Sequence, residues 1–386
     1  MSALAEGLVK NGHQVTVVTG FPNYPQGRVY EGYHIRWRQW EEINGVKILR
    51  LPLFPDHSRS VIKRALNYLT FSMALFFLAP WFIRKPDVIW AYTALVGLPT
   101  LWISKIFRAP YVMEIADIWP DTLTATGMLK QGLLVKVLDK FGKYIFNSAA
   151  ALTVQNPGFQ PCLAAKGVKE EKIHVVENWA DEDVYQPVEY SQELADQHGF
   201  SGKFNVVFAG ALGLAQGLDT IVEAARICLD NPDIQFVFIG DGSCLSETKQ
   251  LVGKYELDNV KFIGRRPATD MPAFYAIADA LLVHLRDEPI FEITLPAKTQ
   301  AYLACGRPVI MAKRGDGNSL ITEHHCGLSC EPANAGALAA VVREMYAMSL
   351  EEQKVMGDNG RKLYLAQFTK SALLTRMEAV MRGVTY

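Results

Sequence analysis

Short apolar runs alternate with longer amphipathic segments along the chain, and glycine and proline turns separate them. Runs rich in β-branched residues, such as Gln14–Thr19 and Asn205–Ala209, predict strands, and the amphipathic segments between them predict helices. Further strands are predicted at Asp87–Tyr92, Pro110–Ile115, Ala151–Val154, Ile173–Val176, Gln235–Ile239, Val260–Ile263, Ala280–His284, Pro308–Met311 and Leu328–Cys330. Strands that alternate with helices at this interval indicate an α/β fold with doubly wound parallel sheets.

Two segments of the first half depart from this alternation. Asn44-Gly45, between Arg36–Glu42 and Val46–Leu51, predicts a β-hairpin. Ser60–Ile83 predicts a long helix whose second part, from Leu69, is almost wholly apolar. That part has 15 residues, too few to span a bilayer. The helix is therefore interpreted either as a core helix or as one that dips partly into the membrane interface.

A polar stretch near the middle of the chain divides it into two similar halves. We predict a Rossmann-like domain over residues 1–182, a linker over 183–202 and a second Rossmann-like domain over 203–362. The final helix, over 363–386, is expected to return to the first domain after a break near Gly357–Gly360. Two domains fit a chain of 386 residues. Facing each other, they would form a cleft with ligands at the carboxyl ends of the strands.

The turn Gly210–Gly217 is the clearest candidate for a ligand site. It joins the strand Asn205–Ala209 to an amphipathic helix, and such a turn presents backbone N–H groups and the positive helix end to an anion. The alternative is a tight turn whose glycines serve only close packing. Glycines at relative positions 0, 3 and 7 do not match the 0, 2, 5 spacing of a dinucleotide fingerprint. Leu218-Asp219 after the last glycine excludes a P-loop.

Composition narrows the class of protein further. Apolar residues make up 49% of the chain and charged residues 20%, which is typical of a globular protein. The six cysteines form no disulfide framework, and no signal peptide is recognised, so a reducing cytoplasm is expected. His324-His325-Cys326 and Cys330 lack a second pair of ligands, so we expect no metal site.

Charge is distributed unevenly although the net charge is only −1. Before position 111 there are 13 Lys and Arg residues against 6 Asp and Glu residues. This basic half is either an ordinary solvated surface or a surface that faces anionic lipid headgroups or a lipid-linked diphosphate. No nucleic-acid-binding motif accompanies the charge, so nucleic acid is not an expected partner.

Several segments together resemble the family-4 retaining glycosyltransferases, which have the GT-B fold. The segments are Gly12–Thr19, Pro22–Gly27, Asp117–Pro120, Val176–Trp179, Ala209–Leu218, Gly240–Gly242 and Pro296–Lys298 through Gly306–Val309. Within that family the chain is similar to the branch that includes N-acetyl-L-fucosamine transferases of surface-polysaccharide assembly. The resemblance implies transfer from a nucleotide-sugar, UDP-linked and of the N-acetylated deoxyhexosamine type, to a lipid-linked oligosaccharide. From the basic residues Arg59, Lys63 and Arg64 and the apolar face of Leu69–Ile83, we also expect a cytoplasmic protein that is peripheral on the inner face of the membrane.

The resemblance also implies roles for individual residues. The diphosphate would meet Gly210, Ala211, Gly213 and Gln216, and Lys298 would supply a cation to the same phosphates. Arg265 would lie near the uracil. Asp117 would lie near the reacting sugar, with Asn23 and Tyr24 on the acceptor side. No catalytic metal and no cofactor besides the donor are implied.

The chain departs from the family pattern at the glutamate pair that usually contacts the donor. The two family positions align with Ile293 and Ala301, and Glu292 stands one residue before the first. We therefore expect both Glu292 and Asp241 to contribute to donor binding, with Asp241 substituting at the ribose. The lost glutamates leave an alternative, a catalytically inactive scaffold with the same fold. A nucleotide-sugar epimerase or dehydrogenase is disfavoured, because its glycine fingerprint and Tyr-x-x-x-Lys pair are missing in the required context.

The start of the chain gives a further expectation. Family members begin with a strand and a glycine-rich loop before the helix that here starts at Ser2. In such a sheet the first strand lies between the second and the fourth. We therefore expect a gap between Gln14–Thr19 and Asp87–Tyr92, and a chain that is an N-terminally truncated, poorly stable and weakly active form of a longer enzyme.

Overall fold

A computed structural model of the chain describes residues 2–24, 26–56, 60–116, 118 and 132–385. The chain forms two compact units. Unit 1 consists of Met1–Gln155, Gln160–Val176 and Leu374–Tyr386, and unit 2 consists of Asn156–Phe159 and Glu177–Leu373. Both contain parallel sheets with helices packed on them, which confirms the predicted fold class.

The strands of unit 1 form two sheets. They are β1 (Thr16–Gly20), β2 (Gln39–Ile43), β3 (Val46–Leu51), β4 (Ile89–Tyr92), β5 (Tyr111–Ile115), β6 (Ala151–Val154) and β7 (Ile173–Val175). One sheet has the order β1-β3-β2, with β1 parallel and β2 antiparallel to β3. The other is the parallel sheet β4-β5-β6-β7. The two-residue connection between β2 and β3 confirms the predicted hairpin.

The predicted gap in unit 1 is present. β1 and β4 are edge strands of separate sheets, and no strand within the described residues pairs with the free edge of either. Parallel strands are usually paired on both sides and covered on both faces. None of the five residues of β1 is classed as buried, which is consistent with incomplete cover.

The helices of unit 1 lie where the amphipathic pattern predicts them. They are Ser2–Lys10, Val61–Phe82, Gly97–Phe107, Leu133–Ser148 and Phe159–Ala165, together with most of Lys370–Gly383. Val61–Phe82 begins after Ser60, whose hydroxyl accepts a hydrogen bond from Lys63 N at 3.4 Å. Its inner side packs Leu75 and Ala79 against β3, so one side of this helix belongs to the core of unit 1.

Unit 2 contains one parallel sheet of six strands. They are β8 (Phe204–Ala209), β9 (Ile234–Ile239), β10 (Val260–Phe262), β11 (Ala280–His284), β12 (Val309–Ala312) and β13 (Gly327–Cys330), in the order β10-β9-β8-β11-β12-β13. The direction of chain progression reverses between β8 and β11, where ligands bind in sheets of this type. Apolar cores cover both faces of the sheet: Val207 points into one core, and its neighbours Val206 and Phe208 point into the other.

Nine helices are described in unit 2 or at its end. They are Gln192–His198, Leu218–Ile227, Leu245–Lys254, Met271–Ala276, Pro289–Glu292, Lys298–Ala304, Asp316–Glu323, Ala335–Ala347 and Leu350–Gln367. The residues 183–202, predicted as a linker, lie in unit 2 and contain the helix Gln192–His198. This helix has a serine N-cap and a left-handed glycine C-cap, both of which the sequence carries.

The predicted helix break near Gly357–Gly360 is wrong. The helix Leu350–Gln367 runs through both glycines. The final helix, predicted from Lys370 to Arg382, is present as Lys370–Gly383. A Cβ atom added at Gly357 would lie 2.2 Å from Gly306 O, and one at Gly360 would lie 3.0 Å from a methyl group of Leu303. These glycines allow two helices to approach closely, and they do not end a helix.

Candidate functional site

The site is built around the turn that follows β8. Gly213 precedes a short 3₁₀ turn, Leu214–Gln216, and Gly217 then starts the helix Leu218–Ile227. No side chain caps the start of this helix. Its first backbone N–H groups and the positive end of its dipole are therefore available to an anion.

A second turn presses against the first. A Cβ atom at Gly240, which follows β9, would lie only 1.9 Å from Gly210 O, and Gly240 has φ +149°. Leu212 N donates a hydrogen bond to Asp241 O at 2.9 Å. Only glycine fits at position 240, because any side chain would meet backbone. The contact places Asp241 beside the turn Gly210–Gly217, and its exposed side chain accepts a hydrogen bond from Gly242 N at 2.7 Å.

Lys298 brings a cation to the same turn. It begins the helix Lys298–Ala304, and its ammonium lies 3.5 Å from the centre of the Phe208 ring. Nζ donates to Gln216 Oε1 at 3.3 Å, and a Cβ atom at Gly210 would lie 3.4 Å from it. Among the carboxylates that the structure describes, none forms an ion pair with Lys298. Desolvation lowers the pKa of Lys298 to about 7.

His284, the last residue of β11, packs beneath the turn Gly210–Gly217 and is hydrogen-bonded to its backbone. Its ring is buried, and Nδ1 lies 2.7 Å from Gln216 O. Because a carbonyl only accepts, Nδ1 carries the proton. Nε2 is buried and has no hydrogen-bond partner within the described part of the chain. Desolvation lowers the pKa of His284, so the ring acts as a neutral support for the turn.

Glu292 ends the short helix Pro289–Glu292, and a buried lysine fixes its backbone. Lys313 Nζ donates to Glu292 O at 3.3 Å and to Arg314 O at 2.6 Å, and burial lowers the pKa of Lys313 to about 8. The Glu292 side chain is only partly exposed. In the described ranges, no hydrogen bond or ion pair joins Glu292 to Lys298. The structure therefore fixes the backbone of Glu292 but does not bring its carboxylate to the cation.

The remaining predicted donor residues lie around the two turns. Ala211 follows Gly210 and is exposed. Arg265 is exposed on the turn after β10, where the adjacent Gly264 O accepts a hydrogen bond from Gly240 N at 3.0 Å. Gly210, Gln216 and Lys298 thus meet directly, whereas Asp241 and Arg265 are brought near through backbone contacts.

The predicted acceptor-side residues belong to unit 1. Asn23 is buried, and both ends of its amide are engaged: Nδ2 donates to Phe21 O at 2.9 Å and Oδ1 accepts from Asn67 Nδ2 at 3.2 Å. This geometry fixes the loop that carries Tyr24, whose side chain is 72% exposed. Asp117, predicted near the reacting sugar, lies outside the described residues.

Two residues of this site were missed by the sequence analysis. Phe208 stands in a strand that is apolar except for Asn205, where an aromatic residue is ordinarily core, and no sequence signal distinguishes it. His284 gave a usable signal, because it is a polar residue at the carboxyl end of a predicted buried strand.

Taken together, the geometry of unit 2 suits a phosphorylated ligand. A glycine turn, an uncapped helix start and a lysine without a carboxylate partner among the described residues meet at the switch point of a parallel sheet. In the part of the chain that the structure describes, no cluster of three His, Cys, Asp or Glu side chains could hold a metal ion.

Comparison with known proteins agrees with this geometry. The chain is 26% identical over 358 residues to the "putative colanic acid biosynthesis glycosyl transferase WcaI" of Escherichia coli, covering 88% of this chain and 86% of the relative. The sucrose-phosphate synthase of Thermosynechococcus elongatus has a similar structure, with a TM-score of 0.77 and 20% identity over 99% of this chain and 91% of that one. Anabaena HepE in complex with UDP-glucose gives a TM-score of 0.66 and 20% identity, covering 84% of each chain.

Two family models account for most of the sequence. Residues 1–179 match the "Glycosyl transferase 4-like domain", and residues 191–363 match "Glycosyl transferases group 1". The first match covers most of unit 1, and the second contains the whole turn Gly210–Gly217 together with Lys298. With both matches and the two Rossmann-like units in agreement, the chain is a glycosyltransferase of the GT-B fold.

Proposed function

We propose that this enzyme transfers a sugar from a UDP-sugar to a lipid-linked oligosaccharide, with retention of configuration, during assembly of a bacterial surface polysaccharide. The observation that carries the donor class is Lys298, a partly buried cation beside a glycine turn without a carboxylate partner among the described residues. The name of the Escherichia coli relative refers to colanic acid synthesis, which supports the product class. The complex of HepE with UDP-glucose supports a uridine diphosphate donor.

In this proposal the diphosphate binds at the turn formed by Gly210, Ala211, Gly213 and Gln216. Negative charge develops on the leaving diphosphate as its bond to the sugar breaks, and the Lys298 ammonium stabilises that charge. An interaction with the donor that is stronger in the transition state than in the bound ground state accelerates the reaction. An interaction that is equally strong in these two states only improves binding.

The other residues would surround the rest of the two substrates. Asp241 and Glu292 are proposed for donor recognition, with Asp241 at the ribose, and Arg265 lies on the side proposed for the uracil. Asp117, Asn23 and Tyr24 are proposed for the sugar and acceptor side. The proposed donor sugar is an N-acetylated deoxyhexosamine, and the proposed location is the cytoplasm, at the inner face of the membrane.

A panel of UDP-sugars tests the donor class and separates an enzyme from an inactive scaffold. Thermal shift measures binding, and release of UDP in the presence of lipid-linked acceptor measures turnover. The matched control for Lys298→Met is Lys362→Met, since Lys362 is exposed on a helix and has no ion pair within the described residues. Loss of a charged hydrogen bond to phosphate is worth about 1.5–3 kcal/mol, so Lys298→Met should weaken binding about 10- to 150-fold.

Each outcome of this experiment has a definite meaning. Stabilisation by one or more UDP-sugars in the wild type and in Lys362→Met, but not in Lys298→Met, supports the donor site. Binding without UDP release under any acceptor condition favours the scaffold. Equal stabilisation of all three proteins, or none by any UDP-sugar, contradicts the proposed donor site.

A further inference from the structure

The helix Val61–Phe82 exposes a continuous apolar stripe on its outer side. The stripe consists of Ile62, Leu66, Leu69, Met73, Phe77 and Trp81. These residues are spaced three or four apart, so they lie on one face of the helix. Trp81 is 82% exposed and Ile62 is 74% exposed. The stripe is about 28 Å long at the rise of an α-helix. Single exposed apolar residues are common, but an aligned row of this length is unusual for a soluble surface.

A second helix extends this surface sideways. Leu98, Trp102 and Ile106 are exposed on Gly97–Phe107 at the same helical spacing. The Trp102 ring stacks on Phe76 with centroids 5.1 Å apart and planes inclined by 10°. The two rows are therefore neighbours. We call them together the stripe surface.

The opposite side of the long helix is held by the core of unit 1. Leu75 and Ala79 are buried with Leu49 and Leu51 of β3 and with Ile103 of the second helix. By length and composition alone, Ile62–Phe82 could cross a membrane. Its second half is instead packed against a folded sheet through Leu75 and Ala79, which fits a helix that lies in the plane of an interface.

Basic residues border the stripe surface. They are Lys63, Arg64, Arg84, Lys85, Lys105 and Arg108, and neither helix contains an Asp or Glu residue. Among the described residues, none of these six forms an ion pair. The second half of the chain has no comparable excess of basic residues, because 13 of the 39 Lys and Arg residues and only 6 of the 40 acidic residues precede position 111. This charge complements anionic lipid headgroups, and exposed tryptophans are typical of the level of those headgroups.

We propose that the stripe surface docks on an anionic lipid bilayer, with Val61–Phe82 lying parallel to the membrane plane and its apolar row inserted beneath the headgroups. The inference deepens the proposed function and rests on it, because a lipid-linked acceptor resides in such a membrane. Lipid is favoured over a protein partner because the apolar row is bordered by basic charge at both of its ends and beside it. A protein interface requires no such single-sign border.

Vesicle binding by the full chain tests this inference. We would compare co-sedimentation with phosphatidylcholine vesicles and with vesicles containing one third phosphatidylglycerol, at low and at high salt. The apolar variant is Phe77→Glu/Trp81→Glu, and its matched control is Leu350→Glu, an 80% exposed leucine of unit 2. The charge variant is Lys63→Glu/Lys105→Glu, and its control is Lys362→Glu. All substituted side chains are exposed, so folding should survive, and circular dichroism verifies this.

The expected result is binding to anionic vesicles that weakens at high salt. The apolar variant should bind at least tenfold more weakly to vesicles of both compositions. The charge variant should lose affinity for anionic vesicles by about fivefold or more for each residue changed. Both controls should behave as wild type. Trp81 should be shielded from an aqueous quencher on binding, as judged against a Trp81→Phe variant.

Several outcomes would overturn the inference. One is that the wild type does not bind anionic vesicles at low salt, and another is that the apolar variant binds them as well as the wild type does. A third is a dimer in light scattering that dissociates on Phe77→Glu/Trp81→Glu, which would assign the surface to a second copy. UDP-sugar binding, measured by thermal shift in the same variants, keeps this test apart from the proposed function. Loss of vesicle binding with intact donor binding locates the defect in the stripe surface. Failure of donor binding with intact vesicle binding contradicts the donor site alone.

Discussion

Lys298 should take up a proton when the donor binds. Desolvation lowers its pKa to about 7, and among the described residues its hydrogen-bond acceptor is a neutral amide oxygen. A diphosphate beside the ammonium would favour the charged form and return the pKa toward the ordinary lysine value. At pH 8 about one in ten molecules of the free enzyme carries this proton, so binding should take up about 0.9 proton. Between pH 6 and pH 8 the dissociation constant should rise about tenfold.

Calorimetry measures this directly. Titration with a UDP-sugar in two buffers of different ionisation enthalpy gives the number of protons bound, and a series from pH 6 to pH 8 gives the affinity. A UDP-sugar is preferable to UDP, whose terminal phosphate itself titrates near pH 6. Lys298→Met is the control, because any dependence on pH that remains in it belongs to other groups, such as Lys313. An affinity independent of pH with no proton uptake, or a dependence that Lys298→Met retains in full, would refute the argument.

The same lowered pKa has a consequence for stability in the absence of ligand. In the unfolded chain the lysine pKa is near 10.4, so between pH 7 and pH 10 the unfolded state binds more protons than the folded state. Folded-state stability therefore rises with pH across that window, by about 1.4 kcal/mol per pH unit at most. Lys298→Met should have the higher free energy of unfolding at pH 6, and the difference should shrink as pH rises. Denaturant titration at pH 6 and pH 9 measures this, and a less stable Lys298→Met at pH 6 would contradict it.

Two further substitutions test other parts of the fold. Gly240→Ala places a Cβ atom on backbone and should lower the free energy of unfolding by about 3 kcal/mol and abolish UDP-sugar binding. The control is Gly253→Ala, where nothing lies within 4 Å, and equal stability of the two variants in urea would contradict the packing argument. Hydrogen bonds from His13 and Arg382 lower the pKa of Glu378 to about 2, so its contribution is complete above pH 4.5 and is lost as pH falls toward 2. Glu378→Gln should cost about 1–2 kcal/mol at pH 7 after solvent screening, and a cost that does not shrink on acidification would argue against this.

The strands of unit 2 could be predicted because both faces of its sheet are buried. All six residues of β8 and all five of β11 are buried, so these strands appear in the sequence as runs that are apolar except for Asn205 and His284. The turn Gly210–Gly217 could be located for a related reason, since its glycines mark the connection between a buried strand and an amphipathic helix. The position of Lys298 beside that turn came from family resemblance and not from any periodicity.

What could not be predicted depended on contacts between distant parts of the chain. A phenylalanine in an apolar strand gives no sign that a lysine 90 residues later will lie on its ring, as Lys298 does on Phe208. Likewise, apolar composition left two interpretations of Val61–Phe82, because only the packing of Leu75 and Ala79 shows which side faces the sheet. The sequence predicts a helix break near Gly357 because the contact of Gly357 with Gly306 cannot be seen in it.

That glycine contact determines which positions of this unit can vary. Lys298 begins a helix of seven residues, and Gly306, just beyond its end, touches Gly357 backbone to backbone. A side chain at 357 would push against the whole short helix, since two helical turns within a close-packed interior move as one body. The ammonium would then shift away from the Phe208 ring. In a saturation-mutagenesis screen for sugar transfer, Gly357 should therefore score with the ligand-binding residues, while the solvent-facing positions of the same helix accept almost any replacement.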